Sequence, residues 1–355
     1  MISVTPKTIS SAGSALLKEI QLKSSGFNKV RPPEVSDPLS LVFASTPEQL
    51  SDAIKFSAAG IIALDKLTPH LLEVSSPSVW TTPNIPLAMS LILPLFDEKQ
   101  NYRPNDIHPT AIIHPSAKIS ETAKIGAYAI IEEGAEINDY CVIDHHVVIQ
   151  AYAKVGPQSH LQPFVFVGAF CEIGQSCIIS PHVTIGSDGF GYAAERSSAV
   201  KHHKIPQIGK VIIEDFCEFG TFCAIDRATL FETRIRKGTK FDNFCHVAHN
   251  CEIGENAMIA AGFMTAGSTK VGKNFLAAGS VNLNGHIHIT DNVVLTARSG
   301  AISSIEKPGV YGGFPVESHK DNLRTMASLS QITTIRKQVQ KILKHLKLTN
   351  EGEST

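Results

Sequence analysis

The 355-residue chain is 43 % hydrophobic and 18 % charged, with a formal net charge of −1. That composition supports a sizeable core and excludes bulk electrostatic binding to nucleic acid, which needs a basic surface. The densest apolar stretch, residues 85–96, holds two prolines and is too short to span a bilayer, and the N-terminus has no signal-like apolar run. A cytoplasmic protein with no transmembrane segment is expected.

Residues 1–103 mix helical patterns at 12–22 and 47–59 with β-rich runs at 39–44 and 60–64, which predicts a small α/β domain. Phe43 lies in the first of those runs and suits either an exposed binding site or the core.

From Ile107 the pattern changes. Every sixth residue is aliphatic through Ile113, Ile119, Ile125 and onward to Ile179 and Ile185. The phase resumes at Ile213, Phe219 and Ile225, and again at Ile235, Phe241, Val247, Ile253 and Ile259. An α-helix repeats every 3.6 residues and cannot hold a period of six on one face. A left-handed parallel β-helix can: each hexad makes one short strand and a turn, three hexads make a triangular coil, and the aliphatic residue points inward. Residues 18 apart then stack in columns, about 4.8 Å per coil. Glycine follows several of the aliphatics, as at Gly126, Gly156, Gly254 and Gly272, which suits a corner needing unusual φ or close approach. This predicts a β-helix domain over 104–314.

All seven cysteines fall two residues before a core position of the repeat, a small inward-facing site. No C-x-x-C pair occurs, so they are read as packing residues rather than as disulfides or metal ligands. Two interruptions break the period. Residues 187–206 carry Ser-Asp-Gly-Phe-Gly-Tyr and a histidine-rich loop, and Asp226-Arg227 opens a second break. Insertions in solenoids form loops on one face, often the binding face.

Residues 315–355 form a C-terminal helical extension in this reading. Leu323, Met326, Leu329, Ile332, Ile335, Val339, Ile342 and Leu346 recur at spacings of three and four, a narrow stripe suited to a partner helix. Lys320, Arg324, Arg336, Lys337, Lys341, Lys344 and Lys347 make this end basic, fitting either a solvated face or a partner site.

The densest polar run in the repeat is Asp242-Asn243-Phe244-Cys245-His246-Val247-Ala248-His249-Asn250. Stepping by 18 from His249 reaches Gly267 and Gly285, so two glycines stand above an imidazole and leave an open slot. An extended ligand such as a pantetheine arm fits such a slot. The adjacent column, Asn250, Ser268 and His286, supplies a second imidazole two coils away. A neutral imidazole can take a proton from an attacking amine, and a backbone N–H can stabilise the oxyanion that forms. Direct acyl transfer needs no nucleophilic Ser or Cys, and none stands in an elbow motif. In a further column His246, Met264, Asn282 and Gly300 stack, and Ser299-Gly300-Ala301 is a run of small residues.

Taken together, Ile107 to Ala111, Ser187 to Tyr192, Lys204 to Gln207, Ile225-Asp226-Arg227, Val247 to Asn250, Asn284-Gly285-His286 and Pro308 to Tyr311 carry a resemblance. Over nearly its whole length the chain resembles the UDP-3-O-acylglucosamine N-acyltransferases of lipid A biosynthesis. The resemblance implies a homotrimer with active sites between neighbouring prisms and no bound cofactor. The donor it implies is a 3-hydroxyacyl group on the phosphopantetheine of acyl carrier protein, and the acceptor the 2-amine of a UDP-3-O-acyl sugar. His249 matches the general base, Gly267 the position whose N–H faces the oxyanion, and His286 the second active-site histidine. Phe43 matches an aromatic stacked on uracil, which makes 1–103 a uridine-binding domain. Asp188, Tyr192, Asp242, Asn243, His246, Asn250, Gly285 and Gly300 are the further substrate-binding positions. The basic C-terminal helix would meet the acidic carrier. Members often carry Met near the position of Gly300, where it closes the acyl groove.

The N-terminal motif departs from the family's Phe-Leu-x-Asn-Pro-x-Tyr, reading Phe43-Ala44-Ser45-Thr46-Pro47-Glu48-Gln49. A divergent paralogue acting on another sugar nucleotide is therefore an alternative. So are a zinc-dependent lyase of the carbonic-anhydrase type using His145, His146 and His249 or His286, an acetyl-coenzyme A sugar acetyltransferase, and a non-catalytic scaffold.

Overall fold

A computed structural model describes residues 3–71, 77–97, 104, 106–195, 201–312 and 319–346, without the side chains of 319–322. The expected boundaries at 103/104 and 314/315, and Lys347, fall at or beyond the limits of what is described. The chain separates into two compact units, Met1–Arg103 and Pro104–Thr355.

The first unit is α/β. Strands β1 (Lys18–Gln21), β2 (Lys29–Val30), β3 (Ser40–Ala44), β4 (Gly60–Leu64) and β5 (Ser78–Thr82) form one sheet in the order β1-β5-β4-β3-β2. Strands β2 to β5 are parallel and β1 pairs antiparallel with β5. The helix expected at 12–22 is not there. Thr5 caps helix α1 (Pro6–Ala12), whose Pro6 sits in the first turn, and Gly13 ends it by donating to Ile9 O. Lys18 to Gln21 is then recruited as a sheet edge, a tertiary contact that local propensity does not reveal. Helix α2 (Pro47–Lys55) begins at a two-sided cap. Thr46 Oγ1 accepts the Gln49 N–H, and Gln49 Oε1 accepts the Ser45 N–H. Phe43 is half-buried and packs against the cluster around Trp80.

The second unit is the left-handed parallel β-helix. Its two-residue strands build three parallel sheets of nine, ten and ten strands. Sheet I runs from Lys118–Ile119 to His288–Ile289, sheet II from Lys124–Ile125 to Gly309–Tyr311, and sheet III from Ile112–Ile113 to Gly300–Ala301. The register is 18 residues, as in Ile131 beside Ile149 and Ile149 beside Val167. The repeat aliphatics line one continuous core, each contributing about 1.5–3 kcal/mol through burial. All seven cysteines are buried in that core as free thiols.

Two features of the corners differ from a simple reading of the glycines. Gly126, Gly156, Gly254 and Gly272 are needed for close approach: a Cβ on Gly254 would stand 2.3 Å from Gly272 O. The left-handed residue comes three positions after each core aliphatic and is usually not glycine. Tyr128, His146, Phe164, His182, Asn250, Ser268 and His286 have φ between 59° and 65°. Each costs roughly 1–2 kcal/mol, offset by an N–H bonded to the coil below, as His286 N–H is to Gly267 O.

At the edge between sheets II and III these corner residues stack as a ladder of Tyr128, His146, Phe164, His182, Phe222 and Phe244, with successive centroids 4.9–5.6 Å apart. Helix α3 (His319–His345) closes the described chain, and its apolar stripe from Leu323 to Ile342 is exposed.

Candidate active site

The two interruptions create the site by leaving the coil at the edge between sheets III and I. Glu172 pairs with Ile212, 40 positions on, which is 22 beyond the regular 18. The first excursion spans those extra residues and ends in a hairpin pairing Tyr192–Ala194 with His202–Lys204. The second adds four residues, so that Ala224 pairs with His246. The strand carrying Ile185 has a bulge before Ser187, and Gly186 there has φ +89°.

His249 lies between these loops and the regular coils. Its half-buried ring is flanked by two backbones. A Cβ on Gly189 would stand 2.6 Å from His249 Cβ, and a Cβ on Gly267 2.6 Å from its Cε1. Only glycine fits on either side. The tautomer follows from the neighbours. Asn250 Oδ1 accepts the Thr229 N–H at 3.0 Å, and Asn250 Nδ2 donates to Leu230 O at 2.9 Å, so the amide can face only one way. Its oxygen then meets His249 Nδ1 at 3.1 Å, which makes Nδ1 the protonated nitrogen. The Nε2 lone pair is left for a substrate proton.

Gly267 offers a second group. On the same edge lower down, the Ala151 N–H donates to Glu132 Oε2 and the Ala169 N–H to Gln150 Oε1, each from 19 residues earlier. The equivalent residue for Gly267 is Ala248, whose methyl accepts nothing. Among the described residues no acceptor takes the Gly267 N–H. An imidazole base and a free amide donor thus lie side by side, the pair that direct acyl transfer requires.

The other expected residues divide between two edges. Gly285 and His286 follow on the His249 edge, His286 exposed with its N–H on Gly267 O. His246 stands on the outer face of sheet III, in one column with Met264, Asn282 and Gly300. Its Nε2 lies 3.0 Å from Asp226 Oδ2, while Ser187 Oγ donates to Asp226 Oδ1 at 2.9 Å. Gly300 has open space around it and lines a pocket of about 390 Å³ with Ser299, Ala301 and Tyr311. Asp188 pairs with Lys204 across the excursion, and Tyr192 rests on Phe190. Asp242 and Asn243 do not join His249 within one chain: they sit at the II/III corner, where Asn243 Oδ1 accepts the Thr221 N–H. Six residues of sequence carry the chain across a whole face, so a dense polar run is split between two edges. Phe43 belongs to the other unit.

Sequence reasoning passes over Gly189, Thr229 and the partners of Arg227. Their signal is the break in period itself, but a loop's contacts have no periodicity to read. Within one chain, among the described residues, no group of three or more His, Cys, Asp or Glu is placed to hold a metal. His145 and His146 stand at the aromatic edge, with His146 stacked between Tyr128 and Phe164.

Comparison with known proteins agrees with the fold. The bacterial transferase hexapeptide (six repeats) family matches residues 232–262, the coils around His249. In fold the chain is similar to the crystal structure of Arabidopsis UDP-N-acetylglucosamine acyltransferase, with a TM-score of 0.53, 21 % identity, and 70 % of this chain and 85 % of that one covered. Among curated relatives, UDP-3-O-acylglucosamine N-acyltransferase of Methylococcus capsulatus is 39 % identical over 324 residues, 89 % of each chain. The protein of the same name from Bordetella avium is 42 % identical over 308 residues, 86 % of this chain and 85 % of that one. The chain belongs to the UDP-3-O-acylglucosamine N-acyltransferase family.

Proposed function

We propose that the chain moves a 3-hydroxyacyl group from the phosphopantetheine thioester of acyl carrier protein to the 2-amine of UDP-3-O-acyl-glucosamine, an acylation of lipid A biosynthesis. The observation that carries this reading is His249, its Nδ1 tied to Asn250, beside the N–H of Gly267, which no described residue accepts. In this mechanism Nε2 takes a proton as the amine nitrogen attacks the thioester carbonyl. The Gly267 N–H donates to the resulting oxyanion. Collapse forms the amide and breaks the C–S bond, and the imidazolium returns its proton to the departing sulfur. The base contributes about 10²–10⁴ in rate and an oxyanion donor about 10²–10³. No bound cofactor is required, because the donor brings the phosphopantetheine.

A homotrimer is part of the proposal, with Asp242 and Asn243 of one copy facing the His249 edge of the next. The outer faces support it. Sheet I alternates Lys118, Glu136, Lys154 and Glu172, whereas sheet III presents Ile112, Ile130, Val148 and Phe166, and sheet II presents Ile178, Met258 and Leu276 among Lys124, His160, Glu218 and Lys240. The aromatic ladder marks the edge where sheets II and III meet. Helix α3, with Arg336, Lys337, Lys341 and Lys344, suits an acidic carrier. His286, Gly285, Asn250, Asp188, Tyr192 and His246 would bound the acceptor and the pantetheine arm, and Gly300 the acyl chain. Phe43 would stack on the uracil.

A second reading keeps the chemistry and changes the nucleotide. It is favoured by the cap at Thr46 and Gln49, which commits the Gln49 oxygen to the Ser45 N–H at the place of the family's second aromatic. Competing donors and acceptors, read by mass spectrometry, test both. N-acylation of UDP-3-O-acyl-glucosamine from carrier thioester supports the first reading. Preference for another sugar nucleotide supports the second, and use of acetyl-coenzyme A alone refutes both.

A further inference from the structure

We infer that Arg227 is a positioning residue for catalysis, closing the neck of the long excursion so that Gly189 is seated against the His249 ring. The inference rests on His249 being the base. Its basis is that one guanidinium reaches three separate segments. Arg227 Nε donates to Gly186 O at 2.8 Å, where the excursion leaves the coil. Its Nη1 donates to Gly209 O at 3.4 Å, where the excursion returns, and its Nη2 to Ala169 O at 3.3 Å in the coil below. A glycine makes room for it: a Cβ on Gly168 would stand 2.6 Å from Arg227 Nη2.

Asp226 completes the clamp from the adjacent position by accepting from Ser187 Oγ. Entry and exit are therefore held by consecutive residues of a single strand, Ala224–Arg227. Three residues past the entry, Gly189 packs against Cβ, Cγ and Cδ2 of His249, the side of the ring away from Gly267. With the neck closed the ring has one place to stand. With it open, Gly189 can withdraw, and the ring gains rotamers that point Nε2 away from the Gly267 slot. A lysine keeps the charge but is a point donor and cannot span three carbonyls as a planar fork does.

The test uses the full-length protein and the variants Arg227→Lys and Gly189→Ala. Each is expected to lower kcat by about 10- to 100-fold with KM for the donor within a few-fold of wild type, the pattern of a misplaced catalytic group. Because both act through one contact, the double variant is expected to be little worse than the poorer single one. Independently of activity, ¹⁵N-imidazole resonances of His249 should show the Nδ1-protonated form in the wild type and a mixture of tautomers in Arg227→Lys. Losses that multiply in the double variant, or a folded Arg227→Lys protein with wild-type kcat and an unchanged His249 tautomer, would overturn the inference. If His249→Ala stays active while Arg227→Lys still mixes the tautomers, the seating stands and the general-base reading is what fails.

Discussion

The backbone of Gly267 passes so close to the ring of His249 that a Cβ on residue 267 would lie 2.6 Å from Cε1 and 2.7 Å from Nε2. Gly267→Val should therefore displace the imidazole and fill the slot, while the prism interior, built from other residues, stays packed. We expect a folded protein of wild-type oligomeric state with near wild-type melting temperature and activity reduced by at least about 10²-fold, the scale of misplacing the general base. A thermal scan and a turnover assay on the same preparation check it. An unfolded variant would mean that the glycine is a backbone requirement.

Asn250 has three tasks. Its left-handed φ of 61° suits the corner, its Oδ1 fixes His249 Nδ1, and its amide ties the second loop through the Thr229 N–H and Leu230 O. Asn250→Gly keeps only the first, so it should keep the prism folded, loosen that loop and lose about tenfold or more in kcat. Asn250→Asp keeps an acceptor and should retain more activity than Asn250→Gly. Equal activities for the two would detach Asn250 from the tautomer.

How much of this is legible in the sequence depends on the kind of order involved. Ile125, Ile131 and Ile137 declare the β-helix because identical environments recur every six residues, and stepping by 18 places His249 under Gly267 and His246 under Met264 as the structure does. Repetition makes long-range contacts local in sequence. Where repetition stops, so does legibility. The clamp ties Arg227 to Gly186 and Ala169, 41 and 58 positions back and off the 18-residue step, and β1 reads as helix because its partner β5 lies some sixty residues away. Asp242 and His249 look like one cluster, although the chain crosses a face between them.

Acyl length gives a third prediction. A Cβ on Gly300 would meet nothing within 4 Å, and the residue shares its column with Asn282, Met264 and His246. An open position there admits a longer chain, and each buried CH₂ adds about 0.8 kcal/mol, enough for several-fold selection. Gly300→Met should shift the preference to shorter donors in a competition of carrier thioesters. An unchanged preference would show that Gly300 only serves the corner.

The cysteines give a fourth. Burial pushes the Cys141 thiol up to about 11, and Cys171 and Cys251 are raised by the same cause. A thiol-specific reagent at neutral pH should leave the native protein unmodified and label all seven cysteines on denaturation. Rapid labelling of native protein would mean that the prism opens.

The account turns on His249 as the group that removes the amine proton. The most direct measurement is the turnover of His249→Ala against wild type, with UDP-3-O-acyl-glucosamine and 3-hydroxyacyl carrier protein and the N-acylated product quantified by mass spectrometry. The account predicts a folded protein of wild-type oligomeric state whose kcat is lower by roughly two to four powers of ten. Activity within a few-fold of wild type would contradict it.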